Sequence, residues 1–405
     1  MNVVVGQSGG PTAVINSSLA GVYAAAVELG AEKVYGMNNG IGGLLKEDLV
    51  LLNDLLGESE EKIELLKRTP ACYLGSCRHK LKKAEDNLAE YEKIFSVLEK
   101  YNIGWFFYIG GNDSMDTVAK LSAYASEIGS EIRFVGVPKT IDNDLTVTDH
   151  TPGYGSAAKF VATTVKELIR DCMIYDLRSL TIIEIMGRNA GWLTAASALA
   201  KGEDCEGVDM ICLPEVPFDM DVFFERITEL QKTKKNLVIA VSEGIKLADG
   251  RYVCELADEA RAVDVFGHKQ LTGTAAFLAS AVAGKLKIKT RAIELSTLQR
   301  CASHIASLTD ITEAFEVGAA AVKAAAAGKT GVAATINRVS DEPYRSEMGV
   351  AEIDKIANEE KSIPREWINE DGTGMLAPYF TYAMPLIQGE LVPVYENGLP
   401  KHLVK

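Results

Sequence analysis

A lysine, a hydroxyl and two carboxylates fall within seven residues in the stretch Pro138-Lys139-Thr140-Ile141-Asp142-Asn143-Asp144. Asp142 and Asp144 are two residues apart, so an extended backbone would turn both carboxylates to one side. One could then hold a metal ion while the other accepts a proton. An ordinary aspartate, with a pKa near ~3.9, is ionised at neutral pH and ready to act as a base. Two glycine pairs, Gly9-Gly10 and Gly110-Gly111, each follow an apolar run and precede a helical pattern. Glycine there lets backbone N–H groups approach an anion, and a helix N-terminus adds a favourable dipole. Asn112, Asp113 and Ser114 follow the second pair with oxygen ligands, and can equally be read as an Asx-type turn capping a helix that starts near Met115. Met186-Gly187-Arg188 and Glu243-Gly244 complete the set. Arg188 could hold a phosphate through its planar fork, and Glu243 could accept a sugar hydroxyl. Taken singly, each of these motifs is also an ordinary turn, cap or surface ion pair.

The elements that must position them are read from the apolar pattern. Strands are predicted at 2–5, 33–37, 105–109, 132–137, 180–186, 210–214, 236–241, 290–295 and 331–336. Helical stretches alternate with them, as in INSSLAGVYAAAVELG, AEDNLAEYEKIFSVLEKY and GSAAKFVATTVKELIRDC. This alternation predicts an α/β protein with parallel sheets covered on both faces, and nine strands predict two sheets with a boundary near 145–155. Ligands of open parallel sheets gather beyond the carboxyl ends of strands. Five predicted strands end in GQSGG, GGNDS, PKTIDND, GRNAG and SEG, which points to one large site. The segment from about 346 onward is proline-interrupted and receives no fold assignment.

Composition excludes several classes. A net charge of −14 lacks the basic footprint of nucleic-acid binding. No apolar run approaches the ~20 residues of a membrane span. MNVVVGQSGG carries no leader pattern, and seven scattered cysteines without a CxxC pair fit reduced thiols, so the expected compartment is the cytoplasm. No GxxxxGK[ST] occurs, and Gly153-Tyr154-Gly155 lacks the third glycine of a dinucleotide fingerprint. The histidines at 79, 150, 268, 304 and 402 form no motif.

In order, SGGPTAVIN, YLGSCR, IGGNDS, PKTIDND, IEIMGR, SEG and TRAIELSTLQR resemble the phosphofructokinase family from Val3 to about Val339. The resemblance implies two Rossmann-like parallel-sheet domains with the active site in the cleft between them. Residues 1–145 with about 300–340 would hold the phosphoryl donor, and 146–299 would hold fructose 6-phosphate. Residues 341–405 are left as a C-terminal extension. The implied reaction is Mg²⁺-dependent phosphoryl transfer to the 1-hydroxyl of fructose 6-phosphate. Asp142 would be the base, with Lys139, Asp113, Thr140 and Arg188 as its catalytic companions. The sugar phosphate would meet Thr140, Ile141, Asp142, Met186, Gly187, Arg188, Glu243 and Thr297, with Arg291 and Arg300 toward its 6-phosphate. Gly9, Arg78, Gly111, Asp113 and Lys139 would face the donor, and Asn112 and Asp144 the metal. The family's habit of borrowing an arginine from a neighbouring subunit implies a homo-oligomer, dimer or tetramer.

The donor is read from two positions. ATP-using members resemble GGDGS and PGTIDND, with glycine where this chain has Asp113 and Lys139. Asp113 would fill the space of a nucleotide's α-phosphate and repel it, and the Lys139 ammonium would bind inorganic pyrophosphate. Pyrophosphate is therefore the expected donor. Three positions depart from the family pattern: Asn112 replaces an acid, Thr297 stands where many ATP users carry histidine, and Ser179 stands where a cross-subunit arginine is common. The alternatives are an ATP-dependent enzyme of the same fold and a catalytically silent regulatory subunit that binds sugar phosphate.

Overall fold

The computed structural model describes residues 1–174, 176–256 and 273–405. His268 lies outside the described residues. Eleven strands form two sheets: β1 (Asn2–Gln7), β2 (Val34–Met37), β3 (Leu49–Leu51), β4 (Ile103–Gly110), β5 (Arg133–Pro138), β6 (Ser179–Ile185), β7 (Met210–Cys212), β8 (Asn236–Ser242), β9 (Lys289–Glu294), β10 (Val332–Asp341) and β11 (Tyr344–Glu352). All nine strands expected from the sequence are present. β3 and β11 are additional in these sheets, as is a separate antiparallel pair of two-residue strands, Tyr395–Glu396 and Leu399–Pro400; β3 has three residues, too few to show alternation, and the others lie in the C-terminal segment without a fold assignment.

The chain divides into two compact units. The first comprises Met1–Ser156, Arg300–Glu360 and Leu386–Lys405. Its sheet runs β11-β10-β5-β4-β1-β2-β3. The five inner strands are parallel, whereas β3 pairs antiparallel with β2 and β11 antiparallel with β10. The sheet is thus mixed at both edges rather than purely parallel. Strand periodicity explains its two cores. Val3, Val5, Trp105, Phe107 and Ile109 face one way, against the helix Ile15–Glu28. Val4, Phe106 and Tyr108 face the other way, with residues of the helices Leu88–Lys100 and Asn112–Glu127. Both faces are covered, which is why these strands read as unbroken apolar runs. From β1 the chain moves to β2 on one side and later to β4 on the other, so the strand order reverses at the carboxyl ends of β1 and β4. A reversal of that kind opens a crevice.

The second unit comprises Ala157–Gln299 and Lys361–Pro385. Its sheet is wholly parallel, in the order β7-β8-β6-β9, which makes the carboxyl ends of β6 and β8 neighbours. Residues 361–385 join this unit through an aromatic cluster. Trp192 packs against Trp367 and Tyr382 with ring centroids 6.1 and 5.2 Å away, and donates its indole N–H to Lys361 O at 2.9 Å. Among the described residues, no helix is long and apolar enough to cross a membrane.

Candidate active site

In the first unit, three loops follow the adjacent strands β1, β4 and β5. The turn after β1 holds Gly9 with φ +76°. Lys139, at the end of β5, reaches this turn: its Nζ donates to Gly10 O at 2.6 Å, and Ser76 Oγ donates to Gly9 O at 2.7 Å. A methyl group built on Gly10 would lie 3.0 Å from an Arg300 guanidinium nitrogen. Arg300, expected at the sugar's 6-phosphate, therefore stands beside the turn with Lys139. Lys139 is only 3% exposed. Burial pushes its ammonium below the ordinary lysine range, the nearby charges of Asp142 and Asp144 work against that shift, and Arg300 adds to it.

The loop after β4 differs from the capped turn expected at Asn112–Ser114. The helix starts at Asn112 with Gly111 as its N-cap residue, and no side chain caps it. Gly110 is the position that excludes a side chain, since a β-carbon there would sit 1.9 Å from Ser114 Oγ. Asp113 is exposed in the first helical turn, where the helix dipole favours its negative charge. Asn112 spends both ends of its amide on a later segment: Nδ2 donates to Glu359 O at 2.8 Å and Oδ1 accepts from Asn358 N at 3.0 Å.

After β5 the backbone is not extended between the two aspartates. Asn143 adopts φ +56°, so the argument for parallel carboxylates from strand spacing does not hold. Asp142 is instead arranged by local bonds. Thr140 Oγ1 accepts from Asp142 N at 3.1 Å and lies 3.4 Å from Asp142 Oδ2, to which it can donate. Asn143 is fully buried, and its Oδ1 accepts from Thr151 N at 3.0 Å. Ile141 is buried, Asp142 and Asp144 are half-buried, and Arg78 is exposed.

In the second unit, the loops after β6 and β8 meet. Gly187 N donates to Glu243 Oε1 at 3.4 Å, and Met186 N donates to Gln299 Oε1 at 3.3 Å. Gly244 is required by close approach, because a β-carbon there would lie 1.9 Å from the Arg188 carbonyl oxygen. Met186, Gly187, Arg188 and Glu243 are thus one cluster. Arg291 is not part of it. It is paired in register with Thr181, in the amino-terminal half of β6, and its guanidinium contacts Asp171 at 3.4 Å. Met186 lies five positions beyond Thr181, about 16 Å along a strand. Thr297 is exposed.

Ser76, Asn143 and Glu215 are supporting residues that sequence reasoning did not select. Glu215 Oε1 accepts from Gly191 N at 2.8 Å and Ile363 N at 3.1 Å, and burial pushes its carboxyl up. The carboxylate thereby ties the loop after Arg188 to the segment 361–385. Ser76 and Asn143 lay inside the stretches YLGSCR and PKTIDND, while Glu215 gave no signal beyond following the short strand β7.

The phosphofructokinase family profile matches residues 2–325. The chain belongs to the phosphofructokinase family. It is 42% identical to the pyrophosphate–fructose 6-phosphate 1-phosphotransferase of Methylococcus capsulatus (strain Bath), over 99% of this chain and 95% of that one. It is 43% identical to the enzyme of the same name from Xanthomonas campestris pv. campestris, with the same coverage of both chains. Among solved structures, a pyrophosphate-dependent phosphofructokinase from Nitrosospira multiformis superposes with a TM-score of 0.88 at 39% identity, covering 99% of this chain and 95% of that one. The α/β architecture described above is the phosphofructokinase fold.

Proposed function

We propose that this phosphofructokinase transfers a phosphoryl group reversibly from inorganic pyrophosphate to the 1-hydroxyl of fructose 6-phosphate, giving fructose 1,6-bisphosphate and phosphate. The observation that carries the choice of donor is the Lys139 ammonium, buried at the Gly9–Gly10 turn and 2.6 Å from Gly10 O. A fixed cation beside a glycine turn suits a compact, highly charged donor. Asp113 supports the same reading, since its carboxylate already occupies the first turn of the helix where a nucleotide phosphate would otherwise gain from the dipole.

In this reading Asp142 accepts the proton of the 1-hydroxyl as the oxygen attacks the terminal phosphorus of pyrophosphate, and phosphate leaves. Thr140 holds the Asp142 backbone and carboxylate through the two contacts described. Lys139 and Arg300 offset charge on the pyrophosphate, with Gly9, Gly111 and Arg78 facing the same ligand. Arg188, Met186, Gly187 and Glu243 orient the sugar phosphate, with the buried Ile141 next to Asp142 in the chain. There is little covalent chemistry for the protein to perform, so positioning and charge neutralisation dominate.

The half-buried carboxylates of Asp142 and Asp144 are hard oxygen donors of the kind Mg²⁺ prefers. Asp144 would hold the ion, whereas the Asn112 amide is committed to residues 358 and 359. When bound, Mg²⁺ supplies charge neutralisation on the phosphoryl oxygens. We assign the enzyme to the cytoplasm and to a homo-oligomer. Arg291, exposed in β9 and away from the Met186–Glu243 cluster, would serve a neighbouring copy's substrate, and Thr297 would face the sugar.

The test is a fructose 6-phosphate phosphorylation assay with Mg²⁺, comparing pyrophosphate and ATP at matched concentrations. Turnover with pyrophosphate and not ATP is expected. Turnover with ATP alone overturns the donor assignment. No turnover with either donor, with sugar phosphate still bound, returns the silent-subunit reading.

A further inference from the structure

The reaction described above makes no use of a buried ionic cluster around His150, in the first unit. His150 is 1% exposed, with Nδ1 2.8 Å from Asp149 Oδ2 and Nε2 2.6 Å from Glu313 Oε2. A ring nitrogen facing a carboxylate must donate, so both nitrogens carry hydrogen and the ring is a cation. Glu313 comes from the helix Leu308–Ala326, and its other oxygen accepts from Tyr344 OH and Ser346 Oγ on β11, each at 2.6 Å. Asp149 accepts from Arg338 on β10 at 3.1 and 3.2 Å. Arg338 also pairs with Asp341 at 3.0 Å and lies over the Tyr344 ring at 5.0 Å. On the same helix as Glu313, Asp310 feels the His150 charge and accepts from Gly153 N and Ser156 N at 2.9 and 2.8 Å. Burial opposes a charged ring at His150, but Glu313 and Asp149 outweigh it and raise its pKa to about 9.

An ionic cluster is a costly way to join a helix to two strands, because each charge must be stripped of water. Its attachment gives the cluster a second role. Thr148 Oγ1 donates to His150 O at 2.9 Å, and Asp149 N donates to Ile336 O at 2.8 Å, fixing the turn on both sides of the ring. The next residue, Thr151, donates its hydroxyl to Thr140 O at 2.8 Å and its N–H to Asn143 Oδ1 at 3.0 Å. Thr140 and Asn143 flank Ile141 and Asp142. The left-handed conformation of Asn143 sets the course of the chain past Asp142, and Thr151 holds that residue's side chain.

We propose that His150 is a positioning residue for phosphoryl transfer: clamped between Asp149 and Glu313, it fixes the 148–151 turn, and through Thr151 it sets the backbone on both sides of Asp142. The inference rests on Asp142 being the base.

The experiment measures kcat and both KM values with pyrophosphate and fructose 6-phosphate for His150→Gln, alongside Asp142→Asn and the thermal midpoint of each variant. Glutamine cannot donate to two carboxylates as a cation. For His150→Gln, kcat falls by about 100-fold, the scale of an ångström-sized misplacement, while both KM values stay within about threefold. A lowered thermal midpoint with unchanged kcat overturns the proposal, as does an equal deterioration of kcat and both KM values. If His150→Gln does not fold, the double variant Tyr344→Phe with Ser346→Ala strips two donors from Glu313 and leaves every charge in place. That variant is expected to lose about tenfold in kcat by a smaller displacement of the same loop, and an unchanged kcat overturns the proposal. An active Asp142→Asn removes the base assignment and the positioning inference with it. An inactive Asp142→Asn beside a fully active His150→Gln removes only the positioning inference.

Discussion

Replacing Lys139 with methionine keeps the length of the side chain and deletes its charge. Lys139 Nζ is 3% exposed by residue and held on Gly10 O at 2.6 Å, so its position relative to the glycine turn is fixed before any ligand arrives. Two unit charges about 4 Å apart in surroundings of effective dielectric near 20 interact by about 4 kcal/mol. Lost from the transition state, that is about a 10³-fold fall in rate. The expected result for Lys139→Met is a fall of about that size in kcat/KM for pyrophosphate, measured in a coupled assay, with fructose 6-phosphate binding unchanged by titration calorimetry. Stability should barely move. Removing a buried cation relieves its desolvation, while Gly10 O loses a donor, and these effects oppose each other. A net change within about 1 kcal/mol corresponds to roughly 2–4 °C in the thermal midpoint of a domain of this size. Burial also lowers the Lys139 pKa from 10.5, so activity with pyrophosphate should decline on the alkaline side below that pH, and the methionine variant should lack this decline. A rate loss below tenfold, or a collapse of the thermal midpoint that accounts for the loss, would refute the reasoning.

Three further outcomes are expected. The double change Asp113→Gly with Lys139→Gly should weaken pyrophosphate use and admit ATP, read in the matched-donor assay; an unmoved preference would remove both residues as donor selectors. Gly244→Ala forces a β-carbon to 1.9 Å from Arg188 O, and overpacking of about 1–3 kcal/mol should raise the fructose 6-phosphate KM by about 5- to 150-fold. An unchanged KM for the sugar would show that this loop does not orient it. His150 has a folded-state pKa raised to about 9 from 6.5, so its stabilising contribution is complete below pH 6.5 and is lost as pH rises through 9. The difference in urea midpoint between wild type and His150→Gln should therefore shrink from pH 6 to pH 10, and a constant difference would contradict a charged ring.

The strands, their alternation with helices and the polar ends of five of them were set locally, by unbroken apolar runs that must be covered on both faces and by glycines where the backbone turns. The ordered motifs around Lys139, Asp142, Arg188 and Glu243 were legible for the same reason, since each chemical residue lies within a few positions of a strand end. What lay beyond reach depended on partners distant in the chain. β11 is an edge strand defined by its pairing with β10 more than by its own sequence. Asn112 was read by its place in the GGNDS loop, whereas the partners of its amide, residues 358 and 359, lie far along the chain. Arg291 and Arg300 are nine positions apart, and neither the approach of Arg300 to Gly10 nor the contact of Arg291 with Asp171 could be read from that spacing. His150 matched no motif, because its role comes from Glu313, 163 residues away, and from the hairpin of β10 and β11. The sequence alone decided which residue types end each strand. The tertiary structure decided which of them share a charge environment, because burial and long-range pairing exist only once the sheets are formed.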